Sequence, residues 1–247
     1  MNFISIKLKG ALNRIKNVWN VAFYPDKIFL YYKNRYSHHN ISFSQEGEDM
    51  ILSRFFSGKS NGFYIDVGAH HPQKFSNTYY FYLRGWKGIN IDAKPGSMAI
   101  FNQIRPNDMN LEIAVSNTCQ TLVYYEFNEP ALNSFNEEIS KQRDATQEYK
   151  IVSQYEIMTY KLSDILDKYL TVYQEIDFMN IDVEGLDYEV LISNNWEKYR
   201  PKIVLVEDLN ASDISNLALS KIVSYMYEQN YQLYAKSCNT LIFKNKI

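Results

Sequence analysis

The chain has 247 residues, 46% of them hydrophobic and 22% charged, with a net charge of −2; that fits one soluble α/β domain, with or without an added arm. Its two cysteines, Cys119 and Cys238, have no metal-ligand spacing and are too few for a disulfide framework, so a reducing cytoplasm is expected. The 21 Tyr and 14 Phe are unusual but identify no function.

Charge is unevenly spread. Residues 1–40 carry seven Lys/Arg against one acid, Asp26, hence +6 for this arm and −8 for the rest. Ile4, Leu8, Leu12, Ile15, Trp19 and Ala22 recur at helical spacing among basic residues. A basic amphipathic helix of this kind suits the inner surface of a membrane, a partner, or its own domain. No apolar run reaches the roughly 20 residues that span a bilayer, and no small-residue cleavage site follows an apolar core.

From residue 41 the chain reads as one domain. Ser44–Asp49 is a polar loop or cap, Ser44 being a candidate cap, that opens a short helix at Met50–Phe56. Asn61–His71 (NGFYIDVGAHH) reads as a buried strand entering a tight turn, with Asp66 at its carboxyl end and Gly68 allowing close approach of a ligand. A helix is expected over Ser76–Arg84, then a strand, Ile89–Asp92, then a helix from Pro95 to Ile104. Leu111–Ser116 and Thr121–Phe127 read as strands, and Glu129–Gln147 as a loop-rich insertion. Ile157–Leu162 is strand-like and leads into a helix capped by Ser163. Phe178–Gly185 is a strand ending in Asp182 and Glu184, followed by a helix over Asp187–Ser193. Lys202–Val206 ends in Glu207 and Asp208, a helix covers Asp213–Gln229, and Tyr231–Ser237 with Thr240–Lys244 closes the chain as a hairpin.

This alternation predicts a mostly parallel sheet with helices on both faces and a closing antiparallel hairpin. Asp66, Asp92, Asp182 with Glu184, and Glu207 with Asp208 then share the ligand-binding edge of the sheet. A glycine turn after one strand and an acid ending the next suit a nucleoside-containing cofactor, the acid holding the ribose hydroxyls. A dinucleotide would need G-x-G-x-x-G, whereas Gly68 is followed by Ala69-His70-His71-Pro72. S-adenosylmethionine carries no phosphate and needs only one glycine turn.

Four segments, FSQEGEDMIL (43–52), GFYIDVGAHHP (62–72), SNTYYFYLRGWKGINIDA (76–93) and FMNIDVEGLDYEVL (178–191), resemble the FkbM-type family of S-adenosylmethionine-dependent methyltransferases. LEIAVS, KLSDIL and KIVLVED follow in the family's order, so the resemblance covers about residues 41–208. It implies a class I methyltransferase fold and O-methylation of a sugar, a surface-polysaccharide precursor or another hydroxyl-bearing small molecule. On that resemblance Asp66, Gly68 and Ala69 line the methionine part of the donor, Asp92 holds the ribose, Ile113 and Ala114 lie near adenine, and Asp182 stands beside the transferable methyl. Asp182, His70 and His71 are the candidate bases. Period-2 alternation sets Glu184 on the same side as Asp182, as a further catalytic candidate or a charge at the next helix's N-terminus. Glu207 and Asp208 could join Asp182 around Mg²⁺, whose hard-oxygen preference they satisfy, but no metal is expected. The −8 domain and the lack of an Asp/Asn-Pro-Pro-aromatic loop exclude a nucleic-acid substrate. An NAD-linked oxidoreductase and a catalytically silent nucleoside-binding module of the same fold are the alternatives. Acceptor identity and oligomeric state are not encoded in any motif.

Overall fold

In the computed structural model, residues 40–146, 148–171, 174–211 and 213–247 are described; all of the expected basic arm but Asn40 lies outside them. In chain order the elements are α1 (Glu48–Phe55), β1 (Phe63–Val67), α2 (Tyr79–Tyr82), β2 (Lys87–Asp92), α3 (Met98–Ile104), β3 (Met109–Glu112), β4 (Ala114–Val115) and β5 (Thr121–Phe127). There follow α4 (Glu137–Asp144), β6 (Ile151–Tyr160), α5 (Leu162–Tyr169), β7 (Phe178–Ile181), α6 (Asp187–Ser193), β8 (Ile203–Glu207), α7 (Lys221–Glu228), β9 (Tyr231–Lys236) and β10 (Thr240–Asn245), with 3₁₀ turns at Pro130–Leu132 and Ile214–Leu219.

Seven strands form one sheet in the order β3-β2-β1-β7-β8-β10-β9. The first five run parallel, and β10 enters antiparallel between β8 and β9. This is the expected class I, Rossmann-like arrangement. Its parallel strands are covered on both sides, which is why FYIDV, INID, FMNI and IVLV read as unbroken runs. The chain leaves β1 towards β3 and later leaves β7 towards β8, so right-handed crossovers put α2 and α3 on one face and α6 on the other. The direction reverses between β1 and β7, and a crevice opens there at the carboxyl ends of the strands. The core runs through Ile65, Val67, Met179, Ile181, Val204 and Val206. Part of the aromatic surplus is core as well: Phe81 lies 4.8 Å from Trp86 and 5.0 Å from Phe178, centroid to centroid. Among the described residues no helix is long and apolar enough to cross a membrane, and both cysteines are free.

Several expected elements differ. LEIAVS is not one strand. Ile113 N–H makes the last bond of the β2–β3 ladder, to Asp92 O (3.0 Å), and β4 then leaves to pair with β6. Thr121–Phe127 is a strand, but it belongs to a separate three-stranded sheet, β4-β6-β5, whose central strand starts at Ile151 rather than Ile157. The region 129–147 is not loop-rich, since it holds α4. Asn136 Oδ1 accepts from Ile139 N–H (3.0 Å), Glu137 and Glu138 occupy the first turn, and Lys141 and Arg143 the last, so capping and dipole complementarity make a helix that hydrophobic periodicity hid. Ser163 is not a cap: α5 starts at Leu162, whose N–H donates to Ser193 Oγ of α6 (3.0 Å). The helix expected over Asp213–Gln229 is broken at Ser220, which caps α7 through Val223 N–H (3.2 Å). The helix expected over Ser76–Arg84 is a single α-turn, and the one expected from Pro95 begins at Met98.

Candidate active site

A cavity of about 510 Å³ lies over the reversal point, lined by the tips of β1, β2, β7 and β8 and by residues 129–135. Gly68 makes this possible. Its φ of +82° is a left-handed conformation, and a Cβ built on it would lie 1.7 Å from Asp182 O. Only glycine lets the β1 tip pass this close to the β7 tip. Asp182 N–H donates to Val67 O (2.9 Å), which locks the approach.

The amides after β1 are then used in order. Gly68 and Ala69 N–H both donate to Ile91 O (2.9 and 3.0 Å), and His70 N–H, brought round by a φ of +52°, donates to Asp92 Oδ2 (2.8 Å). Asp92 Oδ1 accepts from Lys94 N–H (2.8 Å). Burial raises the Asp92 carboxyl, while the amides of Lys94 and His70 oppose that rise. Each of its oxygens keeps a lone pair for a further donor.

Asp66 also lines the cavity, and each of its oxygens likewise accepts one hydrogen bond, here from a side chain: Thr78 Oγ1 donates at 2.7 Å and Asn180 Nδ2 at 2.9 Å. Thr78 accepts in turn from the buried Arg105 (3.0 Å). Burial raises the Asp66 carboxyl, and Arg105 opposes it. The carboxylate expected on the donor's methionine tail is thus one end of a buried network. Ala69 and Ile113 line the cavity. Ala114, expected beside adenine, is buried opposite Thr159 in β4 and is not among the lining residues. Tyr124 lines that end instead, its hydroxyl pushed up by burial and then by Asp92.

At the other end Asp182, Glu184 and Glu207 each bring a carboxylate oxygen within 4.8 Å of the others. Burial, then the charges of Glu207 and Glu184, hold the Asp182 carboxyl well above its usual range. Burial, then Glu184 and Asp187, push Glu207 up to about 9, and Glu207 Oε2 is buried with no hydrogen-bond partner among the described residues. Three such oxygens are ligands a hard divalent cation accepts, but Glu184 is already paired with the Arg143 guanidinium (2.6 Å). Asp208 does not join them, since its Oδ2 accepts from Ser220 Oγ (2.5 Å). Glu184 does not cap α6 either. That helix has no side-chain cap, and Asp187 in its first turn instead accepts from Val183 N–H (2.9 Å) and Gly185 N–H (3.0 Å), two amides ahead of it.

His70 and His71 both line the cavity. Burial lowers both rings, followed by His71 for His70 and by Lys74 for His71, which favours the neutral imidazoles. His71 Nδ1 accepts from Gln73 and Lys74 N–H (3.1 and 3.0 Å), so that nitrogen braces the loop. Sequence reasoning missed Asn180, Asp187, Tyr124 and Arg143. The alternation by which the sequence sets Asp182 and Glu184 on one side of their strand also sets Asn180 there, although β7 itself ends at Ile181. Arg143 left no signal, being 41 residues from its partner.

Residues 66–233 match the family model described as the methyltransferase FkbM domain. Among solved structures, methyltransferase FkbM from Methylobacillus flagellatus KT aligns at 11% identity and a TM-score of 0.46, over 77% of this chain and 46% of its own. The chain therefore spans less than half of that protein's length. No curated protein matches the sequence.

Proposed function

We propose that this chain, which belongs to the FkbM methyltransferase family, takes its methyl group from S-adenosylmethionine and places it on a hydroxyl of a sugar, a surface-polysaccharide precursor or a similar small molecule. The observation that carries the donor assignment is the fate of three successive amides. Gly68 and Ala69 donate to Ile91 O, and His70 donates to Asp92, so this turn has no N–H left to cradle a pyrophosphate. The cavity is lined by carboxylates, with only Lys74 and Lys94 as lining cations among the described residues, and Lys94 is paired with Glu126 (2.8 Å). Such a lining favours a ligand bearing a sulfonium and an ammonium over one bearing two phosphates. The same facts count against an NAD-linked oxidoreductase.

The residues fit the donor in parts. Asp92, with a lone pair free on each oxygen, would hold the ribose hydroxyls, Ile113 and Tyr124 would flank the base, and the Gly68–Ala69 backbone would lie beside the amino-acid tail. When bound, S-adenosylmethionine supplies a methyl group made electrophilic by its sulfonium. The protein aligns an acceptor oxygen and removes its proton. Asp182 and Glu207 would accept that proton, on carboxylates that have no cationic partner among the described residues. Their raised affinity for protons brings them nearer to a hydroxyl than an ordinary carboxylate is.

Parallel calorimetric titration with S-adenosylmethionine, S-adenosylhomocysteine and NAD tests the reading. Binding of the first two without the third is expected. Binding of NAD alone overturns it, and silence from all three in a folded protein favours a silent module.

A further inference from the structure

The tip of β7 is fastened to α4. Arg143 Nη2 lies 2.6 Å from Glu184 Oε2, the two side chains being only 18% and 19% exposed, and Arg143 Nη1 donates to Leu132 O (3.0 Å). Ser134 Oγ donates to Glu184 O (2.6 Å), while the main chain of Ser134 pairs with Tyr125 of β5 in both directions (2.9 and 3.2 Å). Ile139 of α4 packs so closely on Gly185 that a Cβ there would come within 2.7 Å of its Cδ1. Glu184 is held at a φ of +55°, a conformation such a residue keeps only where its surroundings fix it.

Between these fastenings the chain supplies Glu129–Ala131, Asn133 and Phe135 to the cavity wall, and Phe135 packs against Tyr124 at 4.9 Å. Arg143 itself is not among the lining residues. Its guanidinium is therefore linked to the cavity through two relays, Glu184, which lines it, and the carbonyl of Leu132, which stands between the lining residues Ala131 and Asn133.

We infer that Arg143 is a positioning residue that holds the 129–144 wall over the donor half of the cavity through Glu184, and that Glu184 serves this clamp rather than the reacting hydroxyl. The inference rests on the methyl-donor reading of the cavity. Its logic is that of a sheltered, charge-assisted pair: removing either partner strands the other and frees the wall. Donor affinity falls because Tyr124, Asn133 and Phe135 lose their placement, while Asp182 stays where Val67 and Gly68 fix it.

A double-mutant cycle read by calorimetry with S-adenosylhomocysteine tests this. Arg143→Gln and Glu184→Ala should each weaken binding roughly tenfold, and the double variant should bind no worse than either single variant. Arg143→Lys, which keeps the charge but not the fork, should recover part of the loss and guards against a misfolded glutamine variant. Amide hydrogen exchange should speed up across 137–144 in the single variants and stay unchanged in β1 and β7. The clamp is overturned if the two single effects add, or if Glu184→Ala slows turnover while leaving the affinity intact. If the wild-type protein does not bind S-adenosylhomocysteine, the donor reading fails by itself. Exchange across 137–144 then decides the clamp, and an Arg143→Gln variant that exchanges like wild type sinks it.

Discussion

Gly68 and Asp182 touch backbone to backbone: a methyl group on Gly68 would sit 1.7 Å from the carbonyl oxygen of Asp182. The two residues end neighbouring strands, β1 and β7, so the width of the cavity at its centre is set by the absence of one side chain. Gly68→Ala must open this contact and also hold alanine at a φ of +82°. We predict a loss on the order of 3 kcal/mol in urea denaturation, with donor affinity lost in whatever fraction remains folded. A variant that binds S-adenosylhomocysteine normally would show that the tips can part without consequence.

Asp92 should be the most sensitive donor contact. Its oxygens accept from the His70 and Lys94 amides, so Asp92→Asn exchanges one acceptor for an NH₂ that faces an N–H. The turn loosens and a ribose hydroxyl loses its acceptor. A charge-assisted hydrogen bond is worth about 1.5–3 kcal/mol, so affinity for S-adenosylhomocysteine should fall at least roughly tenfold by calorimetry. An affinity within twofold of wild type would take Asp92 out of the donor site.

The sheet was readable because its central strands are buried on both faces and have acids at or just beside their carboxyl ends; FYIDV, INID, FMNID and IVLVE carry both marks. LEIAVS misled because apolarity does not record which sheet a residue joins: Leu111 pairs with β2 and Ala114 with β6. Helix α4 was hidden because Ile139 is its only large apolar residue, and its stability comes from Asn136, Glu137, Glu138, Lys141 and Arg143 at its ends. In the site, Asp182 and Asp92 announced themselves as acids ending strands. What each carboxylate bonds to did not show. Asp66 finds Thr78 and Asn180, Glu184 finds Arg143, and Asp187 finds the two amides ahead of it, all set by tertiary placement.

The acid pair at the far end makes stability and rate depend on pH. Glu207 is pushed up to about 9 from an ordinary 4.5. Below the ordinary value the group is protonated whether folded or unfolded. Between the two values the unfolded chain ionises while the fold keeps the proton, so stability falls as pH rises through that window. Glu207→Gln should raise the Tm, and by more at about pH 8 than at about pH 5. Turnover, which needs an ionised base, should rise with pH well past the usual carboxylate range. In Glu207→Gln that limb should move to lower pH, because the charge holding Asp182 protonated is gone. Asp182→Asn should cost about 10²–10⁴ in turnover while sparing donor affinity. A flat pH profile, or full activity in Asp182→Asn, removes the pair from proton transfer.

Beneath the cavity Arg105 is buried at 0% exposure, with Nε 2.9 Å from Asp108, Nη2 2.8 Å from Tyr64 OH and Nη1 3.0 Å from Thr78 Oγ1. Thr78 Oγ1 in turn donates a hydrogen bond to Asp66. One guanidinium thus faces two buried carboxylates, one directly and one through a hydroxyl. Arg105→Ala leaves both without it, and breaking a buried ion pair from one side costs about 3–5 kcal/mol. We predict a loss of that size in urea denaturation, and a loss under about 1 kcal/mol would mean that water can take the guanidinium's place. Each oxygen of Asp66 accepts from a buried side chain, Thr78 or Asn180, so S-adenosylhomocysteine affinity in the folded fraction separates its two roles. Near-normal affinity would make Asp66 a support for the β1 tip, whereas a parallel loss would mean that its carboxylate must be held at this orientation for the donor to bind.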